Sequence, residues 1–227
     1  MEKSTPKRIV LIHALPFSMA PAMQAFTENW PEAELVNLLD DSLSVDRKRA
    51  QSSSADIIRR IVTLGDYADS IHADAILFTC SAFGEAIDRV KRRLDIPVLK
   101  PNEAMFEEAL QAGGKIGMLT TFGPSVGSME AEFKEQAAEH RSSARLTTIL
   151  VEEAMDRLDK GDDAGHNALL QQAAARCFRD YDLIMLAQFS NAQAHDPVAE
   201  VFKNKILTSP VSAVLRLKQV LCPDTSG

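Results

Sequence analysis

The sequence contains few cysteines, and no two of them are close together. Its 227 residues include three, Cys80, Cys177 and Cys222, and none of them forms a C-x-x-C pair. An odd number of cysteines without that spacing indicates neither a disulfide framework nor a thiolate metal cluster. This usage is typical of a reducing compartment, so the sequence predicts a cytoplasmic protein.

Positive charge is scarce as well. The chain has 25 lysines and arginines against 32 aspartates and glutamates, which gives a formal net charge of −7. A protein that neutralises a phosphate backbone needs a surplus of basic residues, so we expect no nucleic-acid partner. No apolar run approaches the roughly 20 residues that cross a bilayer, so we expect no membrane association either.

Several ligand-binding motifs are missing. The sequence has no GxGxxG and no GxxxxGK[ST] segment, so it lacks the usual backbone cradle of a dinucleotide or a nucleoside triphosphate. Its five histidines show no HxxxH spacing, and the pair Asp162-Asp163 lacks the remaining oxygens of a calcium loop. The sequence therefore predicts no metal site and disfavours a nucleotide-binding Rossmann-type protein.

What the sequence does contain is an internal repeat. Residues 8–26 align without a gap on residues 115–133 at a constant offset of 107 residues. Residues 74–82 align on residues 182–190 at an offset of 108. Two aligned pairs at nearly the same offset indicate that the chain consists of two similar halves.

Strands alternate with helices in both halves. Apolar runs predict strands at residues 8–12, 35–38, 75–78, 97–99, 116–119, 146–150, 183–186 and 206–207. Apolar residues at helical spacing predict helices at residues 20–29, in a long segment up to 71, at 83–94, 101–112 and 125–138, on both sides of the turn 160–163, and at 211–221. Such alternation implies right-handed crossovers and parallel sheets covered by helices.

The predicted fold is α/β, with two similar halves related by a pseudo-twofold that enclose a cleft for the active site. We expect the N-terminal half to comprise residues 1–100 together with a C-terminal helix in residues 209–227. The second half is expected to comprise residues 101–208.

Candidate site residues follow four of the predicted strands. Ligands of parallel α/β sheets bind beyond the carboxyl ends of the strands, where helix N-termini offer free backbone N–H groups. The four ends carry His13-Ala14, Thr79-Cys80-Ser81, Thr120-Thr121-Phe122 and Ala187-Gln188-Phe189-Ser190. Small hydroxyl residues at such positions suit the oxygens of a carboxylate, so the sequence predicts a small carboxylate ligand.

Cys80 is the most reactive side chain at these strand ends. A thiol that faces a helix N-terminus is expected to have a lowered pKa and to form thiolate at neutral pH. The alternative is that Cys80 is a small buried hydrophobe. For His13 there are likewise two interpretations, an acid or base in the cleft and a hydrogen-bonded histidine that closes a loop.

These segments together resemble the aspartate/glutamate racemase superfamily, which includes hydantoin racemases, maleate isomerases and arylmalonate decarboxylases. The resemblance rests on the duplicated halves and on the segments DAILFTCSA, KIGMLTTFGPS and DLIMLAQF. It implies an enzyme that uses no cofactor, holds a substrate carboxylate at the interface of the halves and forms a homodimer. Racemases of this family use one cysteine from each half to move a proton on opposite faces of the substrate carbon.

The resemblance also implies roles for individual residues. Cys80 matches the first cysteine of the racemases, but the position of the second cysteine falls on Gln188. A glutamine cannot accept or return a proton at useful pH, so the two-thiol mechanism is not available as such, and His13 becomes the candidate substitute. The implied substrate-binding residues are Ser81, Ala82, Thr120, Thr121, Phe122, Gln188, Phe189 and Ser190.

The sequence thus predicts a racemase-like or isomerase-like enzyme that acts on an amino acid or a related carbon acid through the Cys80 thiolate. One alternative is a decarboxylase or cis–trans isomerase, which needs a single cysteine. Another is a non-catalytic protein that binds a small acid. Alkylation of Cys80 no faster than that of Cys222 would favour the binding protein, because a binder needs no activated thiol.

Overall fold

The computed structural model describes residues 5–49 and 54–223. The chain divides into two compact units, which we call unit 1 (Met1–Pro101 with Ala213–Gly227) and unit 2 (Asn102–Ser212). Each contains a four-stranded parallel sheet flanked by helices, so the predicted α/β class is confirmed.

Unit 1 has the strand order β2-β1-β3-β4. Its strands are β1 (Arg8–His13), β2 (Glu34–Leu39), β3 (Ala75–Phe78) and β4 (Val98–Leu99). Its helices are α1 (Met19–Asn29), α2 (Ser42–Arg49), α3 (Ser54–Ser70) and α4 (Gly84–Arg93). The central strands β1 and β3 are buried almost throughout, as expected for continuous apolar runs in a parallel sheet.

Unit 2 repeats this order as β6-β5-β7-β8. Its strands are β5 (Lys115–Thr120), β6 (Arg145–Leu150), β7 (Leu183–Leu186) and β8 (Lys205–Thr208). Its helices are α5 (Glu103–Ala112), α6 (Gly123–Glu139), α7 (Glu152–Asp159), α8 (Asp163–Cys177) and α9 (His195–Val201). Helix α9 lies where the sequence pattern predicts none, because its seven residues are too few to show a helical period.

The last helix, α10 (Ser209–Leu221), begins in unit 2 and continues in unit 1. Helices α2 and α3 lie where the sequence predicts one long helix, and the residues between them, 50–53, are outside the described part of the chain. Within residues 5–49 and 54–223, no helix combines the length and the apolar character needed to cross a membrane.

Each sheet contains an equivalent hydrogen bond from the first residue of its first strand to an aspartate. In unit 1 the backbone N–H of Arg8 donates to Asp74 Oδ2 at 2.8 Å, and in unit 2 that of Lys115 donates to Asp182 Oδ2 at 2.7 Å. Gly114 makes room for the second carboxylate, because a Cβ at this position would lie 2.3 Å from Asp182 Oδ2. The repeat in the sequence therefore corresponds to a repeat in the structure.

Candidate active site

Cys80 lies at the carboxyl end of β3, one of the two central strands of unit 1. It precedes a short 3₁₀ turn (Ser81–Phe83) that leads into α4, and its own backbone is extended, with φ −117° and ψ 120°. The side chain is partly buried. Ser81 and Ala82 are the first residues of the turn, and the backbone N–H of Ala82 is directed at the thiol.

The expected lowering of the Cys80 pKa is wrong. Burial raises the pKa of the thiol to about 11, because the thiolate loses hydration. The N–H of Ala82 and the positive charge of Arg47 act in the opposite direction without offsetting this effect. Helix α4 begins only at Gly84, beyond the 3₁₀ turn, so its N-terminus does not start at the thiol. Cys80 is therefore a neutral thiol at pH 7 in this structure.

Arg47 is a residue that the sequence patterns do not single out. It lies on α2, three residues after Ser44, whose hydroxyl donates to the carbonyl oxygen of Ala14 at 2.7 Å. This bond fastens α2 to the carboxyl end of β1, and Ser44 and Arg47 share one face of the helix. The exposed guanidinium of Arg47 comes near enough to Cys80 for its charge to lower the thiol pKa.

His13, at the end of β1, is fully buried and has hydrogen-bond partners on both ring nitrogens. Nδ1 lies 3.0 Å from Ser18 Oγ and 2.9 Å from Thr79 Oγ1, and Nε2 lies 2.9 Å from Asn37 Oδ1. The amide nitrogen of Asn37 donates to Met23 Sδ, so its oxygen faces the ring, which assigns the proton to Nε2. Burial lowers the pKa of His13, and the hydrogen bond to Asn37 opposes that shift only in part.

The described hydrogen bonds of His13 reach Thr79, the residue next to Cys80, rather than Cys80 itself. Sequence reasoning placed Thr79 at this strand end but assigned no role to Asn37 or Ser18. A signal for Asn37 was present, since it interrupts the otherwise apolar residues 35–39 of β2.

In unit 2 the structure brings three predicted residues into direct contact at the ends of β5 and β7. The side-chain oxygen of Gln188, Oε1, accepts from the backbone N–H of Thr121 at 2.7 Å and from its hydroxyl at 3.0 Å. It also lies 3.1 Å from the hydroxyl of Thr120 and 3.1 Å from the amide nitrogen of Asn191. Thr120, Thr121 and Asn191 are buried, whereas Gln188 is half-buried.

Asn191 and His166 complete this cluster, and sequence reasoning gave neither of them a role in the site. The amide nitrogen of Asn191 donates to the carbonyl oxygen of Ala187 at 2.7 Å, so its oxygen faces His166 Nε2 at 3.1 Å. His166 is fully buried on α8, and its Nδ1 lies 2.9 Å from Asn167 Oδ1. Asn191 lies only three residues after Gln188, but the 3₁₀ turn that folds it back was not apparent in the sequence.

The backbone of Gln188 adopts an unusual conformation. Its φ of 89° and ψ of 135° lie in a region that L side chains rarely occupy. A residue held in such a region costs of order 1–3 kcal/mol and persists only where surrounding contacts stabilise it. The hydrogen bonds of the Gln188 side chain are such contacts.

The other predicted residues of unit 2 support these loops. Phe122 and Phe189 are buried, and the carbonyl oxygen of Phe122 accepts from both the backbone N–H and the hydroxyl of Ser125. Ser190 is also buried, and its carbonyl oxygen accepts from the side-chain amide of Gln193 at 3.1 Å.

No metal centre is formed by the described residues. Across 5–49 and 54–223, no three histidine, cysteine, aspartate or glutamate side chains are grouped so that they could hold a metal ion.

A protein-family model described as Asp/Glu/Hydantoin racemase matches residues 17–216 of the chain. No protein with a curated description matches the chain in sequence.

Solved structures of three racemases have the same fold. Glutamate racemase of Bacillus anthracis is 14% identical with a TM-score of 0.73, over 96% of this chain and 82% of that one. Aspartate racemase of Picrophilus torridus is 12% identical with a TM-score of 0.69, over 93% of this chain and 94% of that one. Allantoin racemase of Pseudomonas fluorescens is 15% identical with a TM-score of 0.67, over 94% and 90%.

Proposed function

The chain belongs to the Asp/Glu/hydantoin racemase family, and from this premise we propose that it is a cofactor-independent enzyme for a small carbon acid. The reaction moves a proton at the carbon next to the substrate carboxylate. Cys80 first gives up its own proton to water, its thiolate then accepts the proton from the carbon, and the thiol so formed returns it. The observation that supports this most directly is the position of Cys80, partly exposed at the end of a central strand and next to a turn of backbone N–H groups.

In this proposal the substrate carboxylate binds beside Cys80 in unit 1. The turn at Ser81 and Ala82 supplies hydrogen bonds, and the exposed guanidinium of Arg47 supplies positive charge. The predicted contacts of unit 2, Thr120, Thr121, Phe122, Gln188, Phe189 and Ser190, remain predictions.

His13 has a more indirect role than the proton relay expected from the sequence. Both of its ring nitrogens are already hydrogen-bonded, and burial keeps its pKa below the ordinary value. We assign it the positioning of Thr79 and, through the backbone, of Cys80. Among the described residues of unit 1, none is therefore assigned to carry the proton that a racemase would need on the opposite face of the substrate.

A one-sided reaction is the second candidate, and two arguments favour it. Burial raises the pKa of Cys80 far above neutral pH, and the resemblance to the racemases puts Gln188 at the position of their second cysteine. In decarboxylation of a malonate-type acid, the bond to the leaving carboxylate breaks and its electron pair remains on the substrate as an enolate. The Cys80 thiol then donates its proton to the carbon, and water reprotonates the thiolate.

The test is NMR in D₂O with a panel of amino acids, hydantoins and aryl-substituted malonates. We expect deuterium to enter the α-carbon, or CO₂ to be released, and the rate to fall by about a hundredfold or more in Cys80→Ala and Cys80→Ser. The matched control is Cys222→Ala, which removes an exposed cysteine and is expected to leave the rate unchanged.

The possible results separate the candidates. Exchange with loss of optical activity indicates racemisation, and release of CO₂ indicates the one-sided reaction. If no compound exchanges or decomposes while one of them raises the melting temperature, the protein is a binder of small acids and the enzymatic proposal is wrong.

A further inference from the structure

Thr120 and Thr121, which are predicted substrate contacts, are already hydrogen-bonded to Gln188 in this structure. We propose that the side-chain oxygen of Gln188 occupies an oxyanion pocket in unit 2 and excludes external anions from it. The pocket consists of the hydroxyl of Thr120, the backbone N–H and hydroxyl of Thr121, and the amide nitrogen of Asn191. Gln188 is thereby a specificity-determining residue that selects against ligands with an anionic oxygen at this position.

The pocket offers more hydrogen-bond donors than an amide oxygen can use. Four donors lie between 2.7 and 3.1 Å from Gln188 Oε1, whereas a carbonyl oxygen has two lone pairs. The hydroxyl of Thr121 shares its single proton between this oxygen and Asn191 Oδ1, also at 3.1 Å. A donor set of this density is better matched by a charged oxygen, because hydrogen bonds to an ionised acceptor are stronger.

Two hydrogen bonds fix the orientation of the Asn191 side chain in the pocket. Asn191 donates to Ala187 on one side, and its oxygen faces the buried ring of His166 on the other. These two bonds direct the Asn191 amide nitrogen toward Gln188 Oε1, whether or not a ligand is present. The direction of this donor therefore does not depend on Gln188.

Gln188 lies over the pocket rather than within the core. Its side chain is half-buried, while Thr120, Thr121 and Asn191 beneath it are at most 1% exposed. Among the described residues, its amide nitrogen has one long contact, 3.5 Å from Ser125 Oγ, so the side chain is held mainly through its oxygen. Removing this side chain opens the buried donors to an external anion.

The strained backbone indicates how strongly the arrangement is maintained. The positive φ of Gln188 is unfavourable for any residue with a Cβ, and glycine would adopt it without strain. Glycine at this position would therefore keep the loop conformation and vacate the pocket. The variant Gln188→Gly is the direct test.

The experiment is an acetate titration followed by the backbone amide signal of Thr121 in ¹⁵N-labelled protein. Acetate can bind only to those molecules in which Gln188 has left the pocket, so the apparent affinity of the wild type for acetate is reduced in proportion to that fraction. We therefore expect the dissociation constant for acetate to fall by about tenfold or more in Gln188→Gly. Adding Thr121→Val to that variant removes one hydroxyl donor, and the gain in affinity is expected to be lost in large part.

Two controls make the result specific. His72→Gly relieves another positive φ, of 58°, at an exposed residue far along the chain, and it should leave acetate binding as in the wild type. If Gln188→Gly does not fold, Gln188→Ala vacates the pocket while keeping a Cβ. Equal acetate affinity in the wild type and the Gln188 variant, or a gain that persists after Thr121→Val, overturns the proposal.

The exclusion of anions by Gln188 extends the proposed function but does not depend on Cys80 chemistry. The titration is made on the whole protein, follows a signal from unit 2 and needs no turnover. A protein without detectable proton exchange can still show the gain in acetate binding, and an active enzyme can fail to show it, so the two proposals fail separately.

Discussion

Cys80 and Gln188 occupy corresponding places in two sheets of the same topology, yet their environments differ in almost every respect. Cys80 follows β3 with a relaxed extended backbone and a neutral thiol. Gln188 follows β7 with a positive φ and a side-chain oxygen surrounded by four donors. The two units thus share one sheet topology but differ at this strand end: unit 1 has the exchangeable proton of the Cys80 thiol, and unit 2 has the hydrogen-bonded side-chain oxygen of Gln188.

The two units also differ in how a buried histidine is connected to the strand end. His13 is hydrogen-bonded to hydroxyls beside the strand end of Cys80, and burial lowers its pKa. His166 acts one step away from Gln188, through Asn191. Each unit thus uses a buried imidazole to orient a polar side chain at a strand end, but the histidines come from different elements.

The largest expected effect concerns the acidity of Cys80. In a variant with Cys177→Ala and Cys222→Ala, the rate of alkylation by iodoacetamide should rise about tenfold per pH unit from pH 7 to 10, since only the thiolate reacts. The rise should level off near a pKa of about 11. Urea-unfolded protein is the control. A plateau already reached at pH 8 in the folded protein would contradict the neutral thiol and restore the thiolate expected from the sequence.

The next effect concerns the cluster of unit 2. Asn191→Ala leaves the Nε2–H of His166 and the carbonyl oxygen of Ala187 buried without their partner, so we expect the free energy of unfolding to fall by about 2–4 kcal/mol. Asn167→Ala removes the other, less buried partner of the same histidine and should cost less than about 1 kcal/mol. Urea denaturation measures both, and equal losses would show that Asn191 has no special role.

A smaller effect appears in the pH dependence of unit 1. Burial lowers the pKa of His13 in the folded protein below 6.5. Between that lowered pKa and about 6.5, the unfolded chain therefore binds more protons than the folded protein. Stability therefore rises with pH through this range and declines as the pH falls below about 6.5. His13→Gln should flatten this decline in urea titrations between pH 5 and 7. The exposed His72→Gln serves as control, and a profile unchanged by His13→Gln would count against the buried neutral imidazole.

The smallest effect distinguishes Asp74 and Asp182, which directly precede β3 and β7. Asp74 accepts hydrogen bonds from Lys7 and from the backbone of Arg8. Burial raises the pKa of its carboxyl, but these contacts outweigh burial and lower that pKa below its ordinary value. The resulting stabilisation is therefore present above the ordinary pKa of an aspartate and is lost as the pH falls below it. The pair with Lys7 is substantially exposed, so Asp74→Asn should cost less than about 1 kcal/mol. Asp182→Asn, measured in parallel by thermal denaturation at pH 7, should cost still less. The reverse order would contradict the contribution of Lys7.

Much of the fold was predictable because its signals are local. The continuous apolar runs of β1 and β5 identify buried parallel strands. The offset of the repeat correctly relates β1 to β5, which hold equivalent positions in the two sheets. The grouping of Thr120, Thr121 and Gln188 was predictable for the same reason, since the ends of neighbouring parallel strands meet at one edge of a sheet.

The remaining features depend on contacts between distant residues. The acidity of Cys80 is set by how much water the surrounding chain removes, which no strand-end pattern encodes. Arg47 comes near the thiol because Ser44 binds the carbonyl of Ala14, thirty positions earlier in the chain. The direction of the Gln188 side chain depends on Asn191 and on a backbone conformation that glutamine rarely adopts.

The division of the chain into units has a consequence for the order in which they can form on the ribosome. Unit 2 is a continuous segment, whereas unit 1 is assembled from residues on both sides of it. The second part of unit 1 includes Lys218, whose ammonium donates to the carbonyl oxygen of Asn29 at 2.9 Å. During synthesis from the N-terminus, all residues of unit 2 are therefore made before those of unit 1 are complete, and the unit that carries Cys80 can close only after the segment Ala213–Gly227 has emerged.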